Sequence, residues 1–228
     1  MTATTKTTKT TTKKIRNAAL LGIAGIGTAA GIALGPATAS QAAEPAPVNP
    51  AAAPAPMPAQ AKVGNIDGAL QPNGYYCGPA AARIALSAHG NTPTFDTLAG
   101  ELGTTTDGTQ SIDDLTRVLN QRTAPDTYAS VKLDSKQVTP EQTEKLRTDV
   151  MASIGAGDPV VANIVGQVTD TDGETHRYAG GHYLTITGYS DDGHTVTITD
   201  PADRKGGNVY QLPTDQLAQW AATRGYTS

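Results

Sequence analysis

Two periodicities divide the chain near Pro159. Upstream, apolar residues recur at helical spacing; downstream, they alternate with polar ones. The first helix is predicted over 77–88, an alanine-rich run closed by Gly90. A second spans 94–102 with Gly103 as its stop. Ser111 caps a third, with Asp114 three positions on and Ile112, Leu115, Val118 and Leu119 as its buried stripe. Thr139-Pro140-Glu141-Gln142 reads as a capping box with proline at the first helical position, opening a fourth helix that runs to Ile154 and stops at Gly155. Past Pro159, 160–165 is a β-branched run suited to a buried strand. Residues 182–189 and 195–199 alternate with period two around the hairpin turn Ser190-Asp191-Asp192-Gly193. Residues 209–212 add a strand and 214–222 a last helix. Helices first and an antiparallel sheet second is the α+β pattern.

The periodic part begins only at about Val63. Before it, Lys13, Lys14 and Arg16 precede an uncharged small-apolar stretch over 18–35, and small residues at Ala37 and Ala39, then Ser40 and Ala42, offer cleavage sites. That is the form of a secretion signal over 1–43, removed on export, rather than of a membrane span. Residues 44–62 are almost wholly Ala and Pro. Such a segment buries no core and behaves as a semi-rigid spacer, which either holds the folded part off the cell surface or is a passive tail. The remainder, 63–228, has the length of one domain. The expected product is a secreted, extracellular, monomeric protein.

Charge narrows the partners. Five of the 17 basic residues lie in the first 16 positions, whereas all 21 acidic ones lie from Glu44 onward, so the exported chain carries 12 basic against 21 acidic residues, a net −9. Nucleic acid and anionic membrane surfaces are disfavoured by that balance.

Cys77 is the chain's single cysteine. An exported chain with one thiol forms no internal disulfide, and zinc sites built on several cysteines are excluded by count. Cys77-Gly78-Pro79 opens the first helix, where unpaired N–H groups and the helix dipole favour thiolate. Gly78 leaves room for a substrate beside the sulfur. Gln71, six residues earlier, brings an amide within reach as an oxyanion donor. A buried packing cysteine needs neither feature, so Cys77 reads as a nucleophile.

A thiolate nucleophile requires a histidine partner. His89 closes the Cys77 helix, His194 lies at the hairpin tip, and His176 falls in the polar stretch 169–177, which reads as a mobile loop. His182 differs. It opens a strand directly after Gly180-Gly181, a pair without side chains that lets a substrate backbone pass, and is followed by Tyr183, a further substrate-binding candidate. If the hairpin turn centres on Asp191 and Asp192, facing residues sum to about 382 to 384, and His182 with Asp200 gives 382. The two are therefore expected as cross-strand neighbours, Asp200 fixing the imidazole. Asp170, Asp172 and Glu174 do not match the spacing of a calcium loop and read as solvated.

Gln71-Pro72-Asn73-Gly74-Tyr75-Tyr76-Cys77-Gly78-Pro79-Ala80, Asp158-Pro159-Val160-Val161, Gly181-His182-Tyr183-Leu184-Thr185-Ile186-Thr187-Gly188-Tyr189 and Asp200-Pro201 together resemble the papain-like cysteine peptidases. They resemble more closely the double-glycine-leader (bacteriocin-processing) peptidases and their free-standing secreted relatives. The resemblance implies a papain-like fold and hydrolysis of peptide bonds. It makes Gln71 the oxyanion donor, Cys77 the nucleophile, His182 the general base and acid, and Asp200 the orienter. It implies a peptide or protein substrate and no metal or organic cofactor. Leader-processing members are fused to exporter parts that this sequence lacks, so cleavage after double glycine does not carry over. Two other readings use the same fold: an amidase or transpeptidase acting on cell-wall peptides, and a binding module without chemistry.

Overall fold

A computed structural model describes residues 56–204 and 208–228. The expected signal and residues 44–55 of the expected spacer lie outside them. Five α-helices occur among the described residues: α1 (Cys77–Ser87), α2 (Phe95–Leu102), α3 (Ile112–Arg122), α4 (Pro140–Ala156) and α5 (Thr214–Trp220). No helix there is long and apolar enough to cross a membrane. Seven strands form one sheet: β1 (Ala61–Lys62), β2 (Ser130–Lys132), β3 (Val160–Thr169), β4 (Thr175–Ser190), β5 (Thr195–Thr199), β6 (Val209–Pro213) and β7 (Gly225–Thr227). Their order is β2-β7-β3-β4-β5-β6, antiparallel throughout, with β1 beside β4. The architecture is α+β.

The capping chemistry acts as expected. Thr94 and Ser111 accept from the N–H of Thr97 and Asp114, and Thr139 and Gln142 exchange both capping-box hydrogen bonds. Helix α4 ends differently from expectation. Gly155 continues it, and Gly157, at φ +95°, supplies the left-handed cap, because only there does the chain turn back.

Strand alternation divides the core. Val160, Ala162, Ile164, Leu184 and Ile186 face α4 and α5, joining Leu146, Val150, Leu217 and Trp220. Val161 and Tyr183 face α1, α2 and α3, joining Ala81, Leu86, Leu98 and Leu115. The sheet thus has a helical layer on each face, and Thr185 ties α1 to it by donating to the Ala81 carbonyl at 3.1 Å.

Three departures from the sequence reading bear on the site. The stretch 169–177 is no mobile loop: β3 and β4 extend through it, pairing Val168 with His176 and Gln167 with Arg177. The hairpin register is also shifted, because β4 holds an extra residue between Ile186 and Gly188. Thr185 pairs with Thr199, so one further step sets Asp200 level with Leu184, two residues from His182. Finally, the end of the expected spacer belongs to the sheet. Ala61 and Lys62 pair with Tyr189 and Gly188, and the Ala59 carbonyl accepts the Asp192 N–H at 2.9 Å. These backbone groups have no side-chain pattern to announce them, which is why Ala and Pro content alone misplaces the boundary.

Candidate active site

Cys77 is the first residue of α1, so its N–H lies outside the helical ladder. Its sulfur is buried against His182, with the N–H groups of Tyr183 and Gly78 directed at it. Burial pushes the thiol up, but the hydrogen bond and charge of His182 outweigh it, and Cys77 is held below its ordinary value. Burial likewise opposes charge on His182. Hydrogen bonds to Asp200 and Cys77 prevail and raise it from 6.5 to about 9. Both shifts favour a thiolate–imidazolium pair.

His182 Nε2 lies 2.8 Å from Asp200 Oδ1, so the bond to sulfur falls to Nδ1. The diagonal register does not prevent this contact, since residues two apart lie on one face and a long side chain spans the offset. Asp200 has no exposure and four donors. Oδ1 accepts from His182 and from the Ala202 N–H at 2.9 Å, and Oδ2 accepts from the hydroxyls of Tyr178 and Tyr210, each at 2.9 Å. Burial pushes this carboxyl up, but His182 and the other donors hold it below the usual range. Tyr178 also stacks on the His182 ring, centroids 3.9 Å apart at 21°. The imidazole is thus fixed by its edge and its face.

A second, nearly parallel arrangement adjoins it. His176 stacks on Tyr210 at 3.8 Å and 14° and holds Asp170 by Nε2 at 2.9 Å. Asp170 also accepts the N–H groups of Asp172 and Glu174, so it closes the hairpin turn rather than facing solvent. Through Tyr210 this buried pair buttresses Asp200. His89, by contrast, pairs with Asp158 at 3.1 Å, and His194 is exposed.

Gly180, Gly181, Tyr183, Cys77 and His182 line one cleft of about 280 Å³ with Gly74, Tyr75, the segment 106–110, Asn163 and Arg224. Gly78 does not line it. A Cβ there would stand 2.2 Å from Thr109 Oγ1, so the room it leaves is filled by Thr109, not by a substrate. Gln71 is also outside the lining. Its backbone is tied to the loop after Asp200, the N–H to the Pro201 carbonyl at 2.8 Å and the carbonyl to Arg204 at 2.9 Å. Its side-chain amide donates to the Asn73 carbonyl at 2.7 Å, and Oε1 is buried without a partner among the described residues.

Sequence reasoning missed Tyr178, Tyr210, Thr109 and Arg224. Tyr178 had a signal, standing four residues before His182 and so sharing its strand face. Tyr210 and Thr109 reach the site through packing between distant segments.

The profile of the Peptidase_C39 like family matches residues 57–228. The chain belongs to that family. It is thereby a cysteine peptidase of papain-like α+β fold, and its substrates are peptides. Similar solved structures include one described as a C39-like peptidase from Bacillus anthracis, 17% identical over 74% of this chain and 96% of that one, TM-score 0.49. Another is a double glycine motif protease from an AMS/PCAT transporter in complex with the leader peptide, 12% identical over 72% and 91%, TM-score 0.46. A third is the peptidase domain of Streptococcus ComA, a bi-functional ABC transporter involved in quorum sensing, 13% identical over 73% and 96%, TM-score 0.43. Among curated proteins none matches the sequence.

Proposed function

We propose that this C39-like peptidase is secreted and hydrolyses peptide bonds through Cys77, His182 and Asp200, with Gln71 contributing to the oxyanion hole. The observation that carries the reading is the continuous chain of contacts from Cys77 through His182 to a fully buried, four-donor Asp200. The thiolate attacks the carbonyl carbon, and the Cys77 N–H receives the developing oxyanion. One N–H of the Gln71 amide is committed to Asn73 and the other has no such partner among the described residues, so a rotation of that side chain supplies the second donor. As the C–N bond breaks, imidazolium Nδ1 gives its proton to the leaving amine. Water, deprotonated by the neutral ring, then cleaves the thioester.

Asp200 stays charged throughout, because its four donors all favour the carboxylate. It orients the ring and stabilises its charge. Export rests on the basic segment, small-apolar stretch and cleavage residues that precede the described region. After removal of that segment the protein acts as a monomer without membrane attachment.

A peptide-library digest with the full exported chain and its Cys77→Ala variant tests the mechanism. Cleavage is expected to disappear in the variant; cleavage persisting at wild-type rate refutes it. Iodoacetamide labelling separates the peptidase from a binding module, with Cys77 expected to react at neutral pH faster than a free thiol and His182→Ala to remove the advantage. Sequencing the N-terminus of protein recovered from culture medium checks export, with the mature chain expected to begin at Ser40 or Ala43.

A further inference from the structure

We infer that Arg224 gives the cleft its specificity by binding a carboxylate of the peptide substrate beside the scissile bond. The inference deepens the peptidase reading and rests on it. Arg224 lines the same small cleft as Cys77 and His182. Its guanidinium stands over the Gly180-Gly181 wall, with Nη2 3.6 Å from where a side chain at Gly181 would begin.

The backbone that presents Arg224 is closely held. Its N–H donates to the Ala221 carbonyl at 2.9 Å. Gly225, at φ +134°, brings the next residue so close to β2 that a Cβ would meet the Val131 carbonyl at 2.2 Å. The side chain is nonetheless unengaged: it makes no salt bridge or hydrogen bond to any described residue. Arg83, Arg117, Arg122 and Arg147 each pair with a carboxylate, and Arg204 binds the Gln71 carbonyl. Arg177 also makes no such bond but lies outside the cleft. A guanidinium fork with no acceptor, in a groove that must receive a peptide, matches a carboxylate in shape and charge.

Asp107, in the segment 106–110, lines the same cleft and forms no ion pair with Arg224. The ligand class is a peptide bearing Asp or Glu within a residue or two of the scissile bond. A free C-terminal carboxylate has the same chemistry, and the test separates the two.

Full-length exported protein would be assayed on quenched, acetylated and amidated octapeptides carrying Glu, Gln or Lys at each position flanking the cut, with a free-acid neutral peptide as a further arm. Wild type is expected to favour Glu over Gln at one position by about threefold or more in kcat/KM at low salt. Arg224→Gln levels that ratio, and Arg224→Glu turns the preference toward Lys. A preference seen only with the free-acid peptide assigns the site to a terminal carboxylate. Equal Glu/Gln ratios in wild type and Arg224→Gln at every position, with no free-acid preference, overturn the inference. Should no peptide be cut, the peptidase reading fails separately, and alkylation of Cys77 decides the point. The rate ratio of iodoacetate to iodoacetamide is expected to fall about threefold in Arg224→Gln at low salt and to converge at high salt. An unchanged ratio overturns the inference.

Discussion

Replacing Asp200 with Asn keeps the shape of the side chain and removes its charge. The elevation of His182 from 6.5 to about 9 corresponds to about 3 kcal/mol in favour of the imidazolium. Burial opposes that elevation, so Asp200 and the thiolate supply it together. In the variant the hydroxyls of Tyr178 and Tyr210 claim the amide oxygen, as they now claim Oδ2. The amide nitrogen then faces His182 Nε2, which must accept, and the ring proton moves to Nδ1 beside the sulfur. A neutral ring in that tautomer lends a thiolate no charge and takes no proton from a thiol. Asp200 is the leading cause of that elevation, so about 3 kcal/mol, or about 100-fold, is a ceiling on the loss of thiolate. A more basic thiolate is also a better nucleophile, with a Brønsted slope of about 0.5, so alkylation at pH 6 is expected to slow by up to about tenfold. Iodoacetamide alkylation at pH 6, followed by intact mass, reads it directly. A rate within about twofold of wild type, with the same pH profile, would refute the ion-pair reasoning.

The kcat/KM profile of the wild type is expected to rise as Cys77 ionises, below an ordinary thiol's value, and to fall near pH 9 as His182 loses its proton; an alkaline limb between pH 6 and 7 would contradict it. The same titration bears on stability: the contribution from His182 is fully present below pH 6.5 and is lost as pH rises through about 9, which urea midpoints across that range would detect. Gly78→Ala drives a Cβ into Thr109 and is expected to cost about 1–3 kcal/mol, with Thr109→Gly restoring part of it in chemical denaturation. Tyr210→Phe removes one donor from a buried carboxylate and is expected to cost about 1.5–3 kcal/mol and to lower kcat more than it raises KM; equal stability would show that Tyr178 alone suffices.

Local chemistry explains why so much of this site is legible in the sequence. The helix starts follow Thr94, Ser111 and Thr139 because each cap is satisfied within three residues. Cys77 stands out because α1 begins on it, and His182 because two glycines precede it. The expected register puts Asp200 opposite His182 and the observed one puts it opposite Leu184, two residues away, and the length of the histidine side chain absorbs the difference. The polar residues around His176 predict a loop, but polarity signals exposure only when no partner is available. Asp170 is that partner, and the two bury each other. Arg224 and Tyr210 carry no local mark at all; their positions follow from how α5, β6 and β7 close against β3 and β4.

Trp220 is the only tryptophan of the chain, and its ring packs 5.9 Å from Tyr178, whose opposite neighbour is the His182 ring. Its indole N–H is buried and finds no acceptor among the described residues. The molecule therefore carries one indole emitter, two rings away from His182 and shielded from water. Excited selectively, that fluorophore offers a label-free optical readout of the imidazole's charge, with no competing signal from elsewhere in the chain.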